Sequence, residues 1–76
     1  MNDIENKVIK VISKVLKIAV DKDTTRKNCS KWDSLKHIEI IFSIEDEFEI
    51  EFTEEEMAET DSVSSFIRKL DNEARL

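Results

Sequence analysis

The chain of 76 residues has no glycine and no proline, and only one cysteine, one histidine and one tryptophan. Without glycine there is no glycine-rich loop to cradle phosphates, and no hairpin on an Asn-Gly or Asp-Gly turn. The single Cys29 excludes an internal disulfide. Cys29 and His37 together are too few for a structural zinc site. No apolar run approaches the ~20 residues needed to cross a bilayer. The start, Met1-Asn2-Asp3-Ile4-Glu5, has no apolar core of a secretory signal. A cytoplasmic protein without membrane contact is the expectation.

Seventy-six residues make a single domain, 1–76, near the lower size limit. Such a chain buries roughly 60% of the surface exposed when unfolded. That allows one small core and no deep cavity walled on all sides.

Charge is abundant and unevenly spread. The net charge is −6, but residues 1–32 carry +4 and residues 33–76 carry −10. The acidic part is repelled by phosphate backbones, which argues against nucleic-acid binding. Its complement is a basic patch on another protein.

Apolar spacing predicts four helices. Ile4, Val8, Val11, Ile12, Val15, Leu16 and Ala19 follow the i, i+3/i+4 rule over about four turns. Asn2 or Asp3 is the candidate cap, and Val20 is the last apolar residue. Residues 21–33 read as a loop, longer than the usual 2–8 residues between helices, with Cys29 and Trp32 as its only candidates for burial. The second helix starts at Ser34 with Asp33 as N-cap. Its stripe is Leu35, Ile38, Ile41, Phe42 and Phe48, broadened by Ile40 and Ile44. Residues 49–52 read as an extended connector with Ile50 and Phe52 pointing inward. Thr53 and Glu56 have the spacing of a capping box, opening a short third helix through Glu59. Asp61 or Ser62 caps the fourth, whose stripe is Val63, Phe66, Ile67 and Leu70. The expected fold is all-α: a small four-helix bundle with a short third helix and a long first loop.

The sequence argues against two chemistries. Asp21-Lys22-Asp23 opens like a calcium loop, but Arg26 stands where the turn needs glycine and Trp32 where a bidentate Glu is needed. The run Glu54-Glu55-Glu56 reads as a solvated face, so no metal site is assigned. Ser34 and His37 are neighbours at i, i+3, yet nothing supplies an oxyanion hole or substrate walls. Asp33 is also poorly placed to orient His37, which reads as a surface residue. No catalytic residue is assigned.

The informative stretch is Trp32-Asp33-Ser34-Leu35 followed by Ile38, Glu39, Ile41, the run Ile44-Glu45-Asp46-Glu47-Phe48 and Ile50-Glu51-Phe52. It resembles the acyl carrier protein family, within the wider class of phosphopantetheine-dependent carriers, from Asp33 to about Leu70. The resemblance implies that a separate phosphopantetheinyl transferase attaches 4′-phosphopantetheine to Ser34, with Asp33 and Leu35 beside it and Leu35 partly exposed as part of the partner-docking surface. The arm's thiol then holds an acyl group as a thioester, in fatty-acid-like or specialised biosynthesis. It implies a monomeric, non-catalytic protein that docks on acyl-loading and acyl-using enzymes. Glu39, Glu45, Asp46 and Glu47 are the candidates for pairing with basic patches on those partners, with Glu39 and Glu45 favoured. Phe42, Ile50, Phe52 and Met57 are the candidates for lining an acyl pocket. The physical chemistry of the site agrees, since the positive end of a helix dipole suits a phosphodiester at Ser34. Trp32 departs from the small residue common in fatty-acid carriers and is expected to seal the loop. Arg26 and Lys27 stand where an apolar anchor is usual, and Thr60 near where an Ile often borders the acyl cavity. The alternatives are an aminoacyl or peptidyl carrier, and a small helical adaptor without a prosthetic group.

Overall fold

The computed structural model describes residues 3–74, with side chains as far as Asn72. Four helices follow in order: α1 (Asp3–Leu16), α2 (Ser34–Phe48), α3 (Glu54–Glu59) and α4 (Val63–Ala74). α1 packs against both α2 and α4. The Cα positions span 34 × 29 × 18 Å.

The core takes one face from each long helix. Val8, Ile12 and Leu16 come from α1, Ile40, Ile41 and Ile44 from α2, and Val63, Phe66 and Leu70 from α4. Trp32 and Phe52 enter from the connections on either side of α2. Phe66 holds the aromatic centre, with its ring centroid 6.3 Å from Trp32 and 5.8 Å, edge-on, from Phe52. Offset and edge-on pairs at such distances add attraction beyond area burial.

With no glycine available, polar side chains and two strained residues make the turns. α1 ends at Leu16, a turn earlier than the apolar spacing predicts. Lys17 adopts φ 62° and its N–H donates to Ser13 O at 2.7 Å. Ile18 and Val20 stay packed on the core from non-helical backbone, which is why the spacing looks helical beyond the true end. The N-cap candidate Asn2 lies outside the described residues, while Asp3 is already helical. α2 ends likewise at Glu49, φ 55°, and Ile50 N–H reaches back to Glu45 O at 3.2 Å in a Schellman-type turn.

Inside the long loop, Asp21 Oδ1 accepts from Asp23 N–H at 2.9 Å. Thr25 and Asn28 exchange reciprocal side-chain-to-backbone bonds of 2.9 and 3.1 Å. These are the Asx and Thr motifs that substitute for glycine turns. The loop is then fastened to the start of α4. Arg26 N–H donates to Asp61 O at 2.9 Å and Val63 N–H to Thr24 O at 3.0 Å, flanking an antiparallel bridge between Thr25 and Ser62. The loop therefore has more anchors than Cys29 and Trp32.

The remaining caps form as the sequence predicts. Thr53 and Glu56 make a complete capping box on α3. Ser62 caps α4, exchanging bonds of 3.1 and 3.0 Å with Ser65.

Candidate functional site

Asp33 sets the position of Ser34. Its carboxylate accepts from Lys36 N–H at 2.9 Å and its carbonyl from His37 N–H at 2.8 Å, which starts the helix at Ser34. The N–H groups of Ser34 and Leu35 lie in the first turn, where the helix supplies no carbonyl partner for them, and the positive end of the dipole is there too. Ser34 is exposed, and its hydroxyl oxygen accepts from Arg26 Nη2 at 2.8 Å. Leu35 beside it is 67% exposed.

From Ser34 an open cleft of about 370 Å³ runs between α2 and α3. Its walls are Ile38 and Ile41 on one side and Met57 and Ala58 on the other, with Arg26 and Glu54 as its charged residues. Behind it stands His37, which is 7% exposed and not on the surface as its sequence context suggests. His37 Nδ1 accepts from the Trp32 indole N–H at 3.0 Å. An indole nitrogen only donates, so Nδ1 bears no hydrogen and Nε2–H donates to Met57 O at 2.8 Å. One imidazole thereby joins the loop to α3 behind the cleft. The spacing holds this signal: His37 is three and four residues before Ile40 and Ile41, on the face they bury.

The rest of α2 is arranged differently from the expected stripe. Its core face is His37, Ile40, Ile41 and Ile44. Leu35, Ile38 and Phe42, at i, i+3, i+7, form a second apolar strip that faces outward, with Phe42 59% exposed. The four acyl-pocket candidates do not gather round one space. Met57 lines the cleft, Phe52 is in the core, Ile50 is half-buried against it, and Phe42 lies on the outer face. Ile38, Ile41 and Ala58 are cleft residues that sequence reasoning misses. Thr60 is buried at the end of α3, with its hydroxyl donating to Glu56 O.

The acidic docking candidates also separate. Glu39 is exposed and pairs with Lys36 at 3.2 Å. Asp46 is exposed, and 100° per residue places it on the same side as Leu35, Glu39 and Phe42. Glu47 borders a groove beside Lys7, Lys10 and Lys14 of α1. Glu45, a favoured candidate, is half-buried, and its carboxylate accepts from Phe52 N–H at 2.7 Å, clamping the connector. Glu56 is held below the usual carboxylate range, first by its hydrogen bond from Lys69 at 2.7 Å and then by the Thr53 N–H. Among the described residues no cluster of three or more His, Cys, Asp or Glu is placed to hold a metal, and no helix is long and apolar enough to cross a membrane.

An exposed serine at a helix start beside an open cleft is suited to carry a group. The family model described as phosphopantetheine attachment site matches residues 6–70. The acyl carrier protein of Buchnera aphidicola subsp. Schizaphis graminum (strain Sg) is 36% identical over 75 residues, covering 95% of this chain and 95% of that protein. Fold and site thus define a phosphopantetheine-dependent carrier, not an enzyme. The chain belongs to the acyl carrier protein family. The residues present fit the prosthetic group of that class. A hydroxyl that could be esterified, a guanidinium 2.8 Å from it and a partly apolar cleft lie together at this corner.

Proposed function

We propose that Ser34 bears the phosphopantetheine arm and that the chain works as a single carrier domain, monomeric and cytoplasmic, delivering acyl groups to biosynthetic enzymes. The observation that carries this is the place of Ser34: exposed, first in α2, fixed by the Asp33 cap and opening on the α2–α3 cleft.

The attachment balances simply. Ser34 Oγ forms a bond to the phosphorus of coenzyme A next to pantetheine, the P–O–P bond breaks and adenosine 3′,5′-bisphosphate leaves. The hydroxyl proton goes to a base of the separate transferase. When bound, the group supplies a terminal thiol that holds an acyl chain as a thioester. The chain's own residues do the rest. Asp33 sets the helix start, the dipole favours the phosphodiester, and His37 holds α3 against the loop so that the cleft keeps its shape. Glu39 and Asp46, beside the outward Leu35, Ile38 and Phe42, offer partners a charged and apolar ridge.

The test is intact-mass measurement after incubation with coenzyme A and a promiscuous transferase. The wild type gains one phosphopantetheine unit and Ser34→Ala gains none while keeping its helical circular dichroism. A unit on Ser34→Ala at the wild-type rate rules the assignment out. No unit on either protein favours the adaptor reading, and loading with aminoacyl in preference to acyl groups favours the peptidyl one.

A further inference from the structure

Arg26 stands eight residues before Ser34 in a loop where nothing in the spacing pairs the two. The loop brings them together because Arg26 N–H is tied to Asp61 O at 2.9 Å, which fixes the backbone from which its side chain reaches α2. Nη2 lies 2.8 Å from Ser34 Oγ. Arg26 is half-buried, and among the described residues no carboxylate lies within ion-pair distance of it. Among the described residues its side chain meets a neutral hydroxyl and no anion, which leaves its charge without a partner there and most of its donors unused.

The surroundings make that charge matter. Residues 33–61 hold twelve acids and one base, Lys36, which already pairs with Glu39. The cleft beside Ser34 includes Glu54, and among its described lining residues Arg26 is the one that carries a fixed positive charge. An anion placed on Ser34 meets repulsion from this acidic region, and Arg26 is the cation next to the atom it joins.

We infer that Arg26 is the counter-ion of the arm's phosphodiester: once Ser34 Oγ is esterified, the guanidinium pairs with the unesterified phosphate oxygens and holds the root of the arm at the mouth of the α2–α3 cleft. The inference rests on Ser34 as the attachment point. Arginine suits the task because its planar fork can give two parallel hydrogen bonds to a phosphate, where lysine gives a point charge. Arg26 is a positioning residue here. It restricts where the arm begins, so that the arm leaves Ser34 along the cleft and not freely into solvent.

The experiment is ³¹P NMR of the phosphopantetheinyl protein, with attachment verified by mass, for the wild type, Arg26→Gln and Arg26→Lys. Neither substitution alters the backbone bond to Asp61, so the melting temperatures serve as a structural control. The wild-type phosphorus resonance should be displaced from that of Arg26→Gln, Arg26→Lys should fall between them, and high salt should move the wild type toward Arg26→Gln. Coincident resonances in a wild type and Arg26→Gln that both carry the unit overturn the counter-ion and leave the carrier reading standing. Absence of the unit from wild-type Ser34 overturns both. If Arg26→Gln resists modification, the salt titration of the wild type decides, and a phosphorus resonance unmoved by salt overturns the inference.

Discussion

The indole N–H of Trp32 and Nδ1 of His37 lie 3.0 Å apart in the interior, with the two rings stacked at 6.1 Å between centroids. Trp32 closes the long loop, and His37 passes the connection on to Met57 O in α3. Two helices and a loop depend on one neutral imidazole with a defined tautomer.

Replacing it should therefore be costly. His37→Ala leaves the Trp32 N–H and the Met57 carbonyl without partners and opens a gap beside Phe66. The expected loss is about 2–4 kcal/mol. Urea unfolding followed by the fluorescence of Trp32, the only tryptophan, measures it. A loss below about 0.5 kcal/mol would show that the chain of bonds carries no stability.

Acid should weaken the molecule through Glu56. Its folded pKa lies below the ordinary 4.5, chiefly because Lys69 bonds to the carboxylate. A depressed carboxylate stabilises the fold above its unfolded pKa and loses that contribution as pH falls through the folded value. Thermal melts from neutral pH down past 4.5 should show Glu56→Gln less stable than wild type at neutral pH, and the two converging in acid.

Lys17 and Glu49 hold left-handed conformations without being glycine. Each backbone strain of this kind costs about 1 kcal/mol. Lys17→Gly should raise stability by about 0.5–1 kcal/mol and the melting temperature by about 2–8 °C. Lys14→Gly, inside α1, should lower stability by about 1 kcal/mol. The pair of melts separates relief of strain from a general effect of glycine.

The ridge on α2 predicts an order among charge reversals. Glu39→Lys and Asp46→Lys should each slow association with the transferase up to about fivefold at low salt, since exposed pairs contribute roughly 0–1 kcal/mol. Glu47→Lys, beside the α1 lysines, should matter less. Stopped-flow association at two ionic strengths reads this, and equal effects at all three positions would remove the ridge. Glu45→Lys is unsuitable because it breaks the bond to Phe52 N–H.

Features with local causes are legible in the sequence. Asp33, Thr53 with Glu56, and Ser62 are caps because of their neighbours within the next three residues. Trp32 is buried because it is the one large apolar group in a polar loop. Features that depend on distant segments are not legible. The exposure of Leu35 agrees with the place the resemblance gives it, but the stripe on α2 merges two arcs, because Ile38 and Phe42 recur at helical spacing just as Ile40, Ile41 and Ile44 do, and periodicity does not say which arc faces the core. The end of α1 escapes notice because no glycine or proline marks it. Glu45 reads as surface charge until the connector folds back to place Phe52 N–H against it. Arg26 meets Ser34 only through the seam to Asp61.

That seam also bears on timing during synthesis. The bridge from Thr25 to Ser62 encloses α2 and α3 in one loop of chain. The Asp33-Ser34-Leu35 segment leaves the ribosome well before Asp61, Ser62 and Val63. Until those three arrive, the segment around Arg26 lacks both of its backbone ties, and Arg26 has no fixed approach to the serine. A modifying enzyme that reads the shape of this corner, and not the tripeptide alone, discriminates completed chains from nascent or truncated ones.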